Sequence, residues 1–439
     1  MLAFLYPILF TKSLEVNKMI SIFKRGNVYQ YQFDIAPVEG KRKRVTKSGF
    51  KTKAEAEKAG LIAYNDYMNV GQPFKANEMS YSDFLDYWLK TYCEVNLKYR
   101  TIESYKTIAR IHLKPNLGHY RLNQLTTPCM QEFINKIYVE KAYSKSFLRT
   151  ILKVLKTSIK YAHEKAQFIQ VNPALNVTLP KYDVPPEDPA HILTKEEVNL
   201  ILDRFKNNHA FYYAVLTAYY TGLRVSEVFG LTWDNIDFEN KRITINKTIL
   251  KKNQAGATHG RHISGTATTV WYFGTCKNQS SYRTIEIGDN LLNALMDYKK
   301  EQIENEKEYG TLYMKHYMVE TENSYNKKKE IKILNAYKEL NVGLPETNLV
   351  FVKHNGVFEG TDTCKYPFKV IHYELGIPCR FHDFRDTHAT RLIEAGADIK
   401  AVSKRLGHSN IRTTYEIYVR VTDKMERVTA NLFDEVATL

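Results

Sequence analysis

Near its carboxyl end the chain reads His382-Asp383-Phe384-Arg385-Asp386-Thr387-His388. A short way on come Leu406-Gly407-His408-Ser409-Asn410-Ile411-Arg412-Thr413-Thr414-Tyr415-Glu416-Ile417-Tyr418. A phosphodiester under nucleophilic attack gathers negative charge on its non-bridging oxygens, and a guanidinium fork answers that charge two N–H groups at a time. His382 and Arg385, three residues apart, fall on one face of a helix. A helix starting near His382 adds its free N-terminal N–H groups to the same field. A tyrosine hydroxyl can then attack, although its ordinary pKa near 10 makes the phenolate cost about 4 kcal/mol at pH 7. A nearby positive charge or a base is needed, and His408 can supply either.

A second cluster, Thr221-Gly222-Leu223-Arg224-Val225-Ser226-Glu227, lies about 160 residues upstream of Arg385. The two clusters together resemble boxes I and II of the tyrosine recombinases, the phage-type integrases: Thr-Gly-Leu-Arg-x-Ser-Glu, then His-x-x-Arg, Leu-Gly-His and a tyrosine nine or ten residues on. A lone His-x-x-Arg has no diagnostic value; both boxes in order do. The resemblance implies catalytic roles for Arg224, His382, Arg385 and His408, with Tyr418 as nucleophile. It also implies that Glu227 fixes Arg224, where a bare i,i+3 ion pair would be worth only a few tenths of a kcal/mol. Tyr415 competes with Tyr418 in the sequence, and the Thr-Thr-x-x-x-Tyr spacing of the family selects Tyr418.

The family also carries a lysine on a β-hairpin. Lys277, in Cys276-Lys277-Asn278-Gln279-Ser280-Ser281-Tyr282-Arg283-Thr284-Ile285, matches that position, with Asn278 where threonine is usual. Its implied role is general acid toward the leaving 5′-oxygen. An insert at about 251–275, with Trp271-Tyr272-Phe273, makes Lys251 and Lys252 the nearest competitors.

Bulk properties agree with a nucleic-acid partner. Sixty-three Lys and Arg against forty-eight Asp and Glu leave a formal charge of +15, with a pI near 9.2, which favours a polyanion. No segment approaches the roughly 20 apolar residues needed to span a bilayer. Five cysteines without a Cys-x-x-Cys indicate neither a disulfide framework nor a zinc knuckle, and fit a reducing cytoplasm. His382, Asp383, Asp386, His388 and His408 crowd together, but the spacing of a zincin helix is absent. No metal is expected there, and no cofactor: a phosphotyrosine bond retains the energy of the broken ester.

The chain reads as multidomain, mainly α with small β-sheets. Residues 1–18 are an extension expected to be disordered, ahead of Met19. Residues 19–73 form a β-sheet-plus-helix module: Val28 to Phe33 alternates with period two, and Thr52-Lys53-Ala54-Glu55 is a capping box. Its basic run, Lys41, Arg42, Lys43 and Arg44, is a DNA-contact candidate, since the layout resembles integrases of conjugative transposons with an arm-binding domain. Residues 79–180 form a helical unit resembling the core-binding domain. In it Leu148, Leu152, Leu155, Ile159 and Ala162 make a core stripe beside a ridge of Arg149, Lys153, Lys156 and Lys160 suited to phosphates. A proline-rich linker at 181–192 precedes a mixed α/β catalytic domain over 193–420. That domain has inserts near 251–275 and 300–345, the second read as a charged, solvated helical excursion. The tail at 421–439 places Val421, Met425, Val428, Leu432 and Val436 on one helix face.

The resemblance implies a site-specific recombinase that integrates and excises a mobile element, working on core and arm sites of double-stranded DNA as a homotetramer. The tail would dock on a neighbouring protomer. It leaves room for an excisionase or a host DNA-bending protein as helper. Two rivals share the pattern: a type IB topoisomerase-like enzyme, and a catalytically idle DNA-binding regulator.

Overall fold

The computed structural model describes residues 20–38, 41–70, 79–141, 143–181, 191–253, 269–323, 325–340 and 342–419. The expected N-terminal extension, most of the linker, the centre of the first insert and the C-terminal tail lie outside these residues. The chain divides into two compact units, Met1–Asp183 and Val184–Leu439.

In the first unit, strands β1 (Ser21–Arg25), β2 (Val28–Val38) and β3 (Lys41–Phe50) form an antiparallel sheet in that order. Alternation places Tyr31 and Phe33 on one face, where they are buried against Ala63 and Tyr64 of helix α1 (Lys53–Val70). The predicted capping box is present, with the Glu55 amide donating to Thr52 Oγ1 at 3.2 Å and the Thr52 amide to Glu55 Oε2 at 3.4 Å. Asp34 is gripped by Arg42 Nε at 3.0 Å and Arg44 Nε at 2.9 Å, so two of the four basic-run cations are already engaged. Lys43 is exposed, and the side chain of Lys41 lies outside the described set.

The helical unit that follows is built on α2 (Tyr81–Trp88), α3 (Tyr99–Ile108), α4 (Thr127–Lys141) and α5 (Lys145–Glu164). Its core holds Tyr81, Phe84, Trp88 and Leu113. The α5 stripe is wider than its sequence suggests: Ile151 and Val154 join Leu148, Leu155, Ile159 and Ala162, while Leu152 is only partly buried. Arg149 and Lys153 are exposed. Lys156 Nζ instead donates to the Leu175 carbonyl at 3.0 Å, and Lys160 sits 3.7 Å from Glu164. Half of the expected ridge therefore has intramolecular partners.

The second unit opens with α6 (Lys195–Phe205), capped by a Thr194–Glu197 box, then α7 (His209–Thr221) and the single turn α8 (Val225–Val228). A small sheet follows, of β4 (Ile236–Asp237), β5 (Arg242–Ile245) and β8 (Arg283–Glu286), in that order. Between β5 and β8 the insert supplies a hairpin, β6 (Thr248–Asn253) with β7 (Thr269–Gly274). Beyond α9 (Asp289–Tyr309) the chain forms β9 (Met314–Glu322) and β10 (Lys329–Tyr337), and all four strands make one sheet in the order β6-β7-β10-β9. The expectation of a solvated helical excursion at 300–345 is thus wrong beyond Tyr309. Lysine and glutamate favour helix in isolation, but here charges pair across strands, as in Lys329 with Glu320 at 3.1 Å, and β-branched and aromatic residues pack between them. The two inserts are one structural addition.

Lys252 is buried and its ammonium pairs with Glu330 of β10, while Lys251 pairs with Asp362. Both competitors of Lys277 are thereby committed to the added sheet and its neighbour. The remaining helices, α10 (Lys365–Tyr373), α11 (Phe381–Glu394), α12 (Ile399–Leu406) and α13 (Ile411–Val419), carry box II. Removing a partner from a buried ion pair leaves a charge uncompensated. Glu330→Ala is therefore expected to loosen the added sheet by roughly 1–3 kcal/mol. Hydrogen–deuterium exchange should accelerate over 248–253 and 314–337 and stay unchanged in α11.

Candidate active site

Box I is positioned by a helix stop. Gly222 ends α7 at φ +67°, and a Cβ there would lie 2.4 Å from Leu406 Cδ2. Only glycine meets both the left-handed backbone and the close approach of α12. Arg224 then caps α8, and Glu227 lies one turn on, 1% exposed. Arg224 Nη1 donates to Glu227 Oε1 at 2.7 Å, and the Arg224 amide donates to Oε2 at 3.1 Å.

Box II meets it across the fold. Arg385, on α11, is 0% exposed. Its Nη1 donates to the Gly222 carbonyl at 2.6 Å and its Nη2 to the Leu406 carbonyl at 2.7 Å. Arg224 Nη2 reaches the next carbonyl, Gly407, at 3.4 Å. Two guanidiniums from points 161 residues apart thus meet on successive carbonyls of the turn that leads into His408. Gly407 has φ +68°, and a Cβ on it would press to 2.7 Å from the Ser280 carbonyl.

Arg385 has more cationic capacity than the protein uses. Nε is buried without a hydrogen-bond partner among the described residues. Burial, with Arg224 nearby, pulls its pKa down to about 9. It remains charged at neutral pH, and an anion arriving beside it gains an undischarged cation in a low-dielectric setting.

The histidines separate by environment. His408 Nδ1 is 2.8 Å from Thr414 Oγ1 on α13. Burial, then the charges of Arg385 and Arg224, push His408 down to about 3. Of the two options that sequence left open, a positive charge is removed: His408 is a neutral imidazole. His382 sits at the exposed start of α11, 3.8 Å from Asp386, and is lowered by desolvation and by Arg385 and Arg224 against the pull of Asp386. The free helix N-terminus expected there is partly occupied, because the Arg380 amide donates to Asp383 Oδ2 at 2.7 Å. His388 faces elsewhere, with Nδ1 2.8 Å from the Tyr219 carbonyl and Nε2 accepting from Arg405 Nε at 3.2 Å.

Lys277 is exposed beside the turn Gln279–Ser281. That turn touches the cluster: Arg224 Nη1 donates to Ser281 Oγ at 3.4 Å, and Ser280 Oγ donates to the Gly407 carbonyl at 3.4 Å. Tyr418 lies on α13, four residues after Thr414, and its side chain is outside the described set; Tyr415 is exposed.

Two arginines escaped the sequence reading. Arg283, on β8, donates from Nη2 to Glu227 Oε2 at 3.0 Å and from Nε to the Arg405 carbonyl at 2.7 Å. Arg405 donates from Nη1 to the Glu286 carbonyl at 2.9 Å, besides its bond to His388. Burial alone would raise Glu227, but Arg283 and Arg224 outweigh it and hold the carboxylate below its ordinary range. The available signal was Arg283 standing seven positions after Cys276 in the very stretch that carries Lys277.

Four guanidiniums, those of Arg224, Arg283, Arg385 and Arg405, thus gather around box I and box II, a setting suited to an anion. A model of the phage integrase family matches residues 191–425, more than half of the chain. The chain belongs to the phage integrase family. Models of a phage-integrase N-terminal SAM-like domain and of an arm DNA-binding domain match residues 80–138 and 21–61. A XerC-like tyrosine recombinase of Caldanaerobacter subterraneus is 26% identical over 381 residues, covering 86% of this chain and 88% of that protein. The integrase of Staphylococcus phage L54a is 27% identical over 372 residues, covering 80% and 91%. Among solved structures, the Tn1549 transposon integrase in complex with transposon right-end DNA aligns with TM-score 0.57 at 21% identity, covering 81% of this chain and 99% of that one. The protein is a tyrosine recombinase, an enzyme that acts on DNA by breaking and rejoining it. No helix among its described residues is long and apolar enough to cross a membrane.

The buried histidines set a pH dependence. Burial, with Arg405 close by, pushes His388 from 6.5 to about 4, so the unfolded chain binds a proton between these values that the folded protein refuses. Stability from this group is complete above pH 6.5 and falls as pH drops toward 4, by roughly 3 kcal/mol at most. Thermal unfolding followed from pH 7.5 to 4.5 should show that decline, and His388→Gln should flatten it in part, since His408 contributes with the same sign.

Proposed function

We propose that this recombinase integrates and excises a mobile element, such as a conjugative transposon or prophage, through a covalent 3′-phosphotyrosine made by Tyr418. The observation that carries the proposal is the meeting of Arg224 and Arg385 on the carbonyls of Leu406 and Gly407, one residue short of His408 and eleven short of Tyr418. A scissile phosphate would exchange those backbone acceptors for its own non-bridging oxygens, which carry more charge and accept in bidentate fashion. The Tyr418 oxygen attacks phosphorus, the bond to the 5′-oxygen breaks, and the phenolic proton passes to neutral His408. His382 completes the donor set. Lys277, two residues before the turn that contacts Arg224, gives a proton to the 5′-oxygen. Rejoining runs these steps in reverse with an incoming 5′-hydroxyl, so no cofactor is required.

Glu227 holds Arg224 and Arg283 in register, a positioning role. The arm module, through Lys41 and Lys43 with Arg42 and Arg44 shared with Asp34, is proposed to hold arm sites while α5 lies along the core site. The working assembly is proposed to be a homotetramer on two duplexes, helped by an excisionase or a DNA-bending host protein. The tail at 421–439 would join protomers by seating its apolar stripe in a neighbour. A groove of about 490 Å³ lined by Tyr219, Tyr220, Leu392, Ala397, Ala401 and Val402 offers an apolar seat.

Tyr418→Phe is expected to bind core DNA as the wild type does and to form no covalent adduct on a nicked suicide substrate. An adduct in that variant would disprove the assignment. The same substrate sorts the rivals, because a regulator yields no adduct in the wild type and a topoisomerase-like enzyme yields no exchange between duplexes. Exposed Arg149 and Lys153 should each lower the slope of log affinity against log salt by about 0.9 when changed to alanine. Lys156→Ala, whose ammonium is bonded to Leu175, should lower it less.

A further inference from the structure

The carboxyl end of α7 carries the box I turn; its amino end, about 20 Å away along the axis, carries a different grouping. His209 is the first residue of α7, Glu301 lies in the middle of α9, and His354 sits in the loop before α10. One ligand atom from each lies within 4.8 Å of the other two. His209 Nδ1 touches the Glu301 carboxylate, and the rings of His209 and His354 stand 4.7 Å apart between centroids.

The three residues are held by structure that does not depend on their meeting. His354 lies in a tight turn in which the Gly356 amide donates to the Lys353 carbonyl at 2.8 Å and the Lys353 amide to the Val357 carbonyl at 3.0 Å. Gly356 has φ +81°, and a Cβ there would fall 2.3 Å from the Met314 carbonyl, so the turn has one backbone path. Glu301 Oε1 also accepts from Asn305 Nδ2 at 3.5 Å, one turn further along α9. An acceptor bond of this kind from outside the cluster is how ligand carboxylates are oriented.

We propose that His209, Glu301 and His354 bind a divalent transition-metal ion, of which Zn²⁺ is the representative. Two imidazoles and one carboxylate form a donor set for borderline ions, whereas Ca²⁺ and Mg²⁺ prefer oxygen ligands. An ion between His209 and Glu301 replaces their mutual hydrogen bond with two coordinate bonds of about 2.0–2.2 Å. A His209–Glu301 pair alone uses two of the residues, and the 353–357 turn brings a third ligand atom, from His354, within reach of both. The ion ties α7, α9 and the 353–357 turn together, at the end of α7 remote from Arg224, so its effect is on the stability of the catalytic unit.

The test uses the full chain, stripped with EDTA and titrated with Zn²⁺, and with Co²⁺ for its visible spectrum. The expected result is one ion per chain, a Co²⁺ absorption of low coordination number, and an unfolding midpoint that climbs with free Zn²⁺. His354→Ala and Glu301→Gln should each weaken binding at least ~10-fold. Because His354 is exposed, His354→Ala should leave the metal-free midpoint and adduct formation on a suicide substrate unchanged. Failure of the wild type to bind a stoichiometric ion overturns the proposal. Binding that survives both substitutions also overturns it, since the ion is then held elsewhere.

Discussion

The catalytic unit is organised around a buried cation. Taking the Arg385 guanidinium fully out of water is expensive unless its N–H groups are satisfied. The protein meets part of that demand with neutral carbonyls from two helix C-termini, Gly222 after α7 accepting from Nη1 and Leu406 at the end of α12 accepting from Nη2. Helix C-termini carry partial negative charge and unpaired carbonyls, so two of them aimed at one guanidinium stabilise it without supplying a carboxylate. A carboxylate there would compete with phosphate for the same donors; a carbonyl yields.

Around that centre the polar groups are layered by charge. Glu227 is divided between Arg224 and Arg283, so the side of Arg224 toward the Leu406–His408 turn meets only a neutral carbonyl, that of Gly407. Burial, reinforced by the concentration of guanidiniums, sets the charge state of the imidazoles. His408 and His388 are both kept neutral, so the positive charge of the cluster comes from its arginines. A division of this kind keeps each group in one protonation state through the neutral range.

The added four-stranded sheet lies outside this chemistry yet bears on it. It grows from the connection between β5 and β8, the segment that returns to the catalytic cluster as the Lys277 turn. Two of its cations are engaged by carboxylates, Lys252 by Glu330 within the sheet and Lys251 by Asp362 beside it. The first insert is accommodated because its lysines find carboxylate partners and its strand β7 pairs with β10 of the second insert.

Much of the site was legible in the residues themselves. Box I needs a glycine to reverse the chain and an arginine just after it, and box II needs a histidine and an arginine one turn apart; these are local requirements, and spacing expresses them. The capping boxes at Thr52 and Thr194 and the stripe of α5 follow from equally local rules. What the tertiary structure decided is the set of relations that no spacing encodes. Arg283 and Arg405 read as solvated charges until β8 and α12 bring them against Glu227 and His388. Lysine and glutamate across 314–337 suggest helix until a sheet assembled from two distant inserts pairs them. The convergence of His209, Glu301 and His354, separated by 92 and 53 residues, exists only in the fold. Local patterns record what a backbone turn or helix face demands, whereas burial, ion pairing and the resulting proton affinities depend on which strangers in the sequence become neighbours.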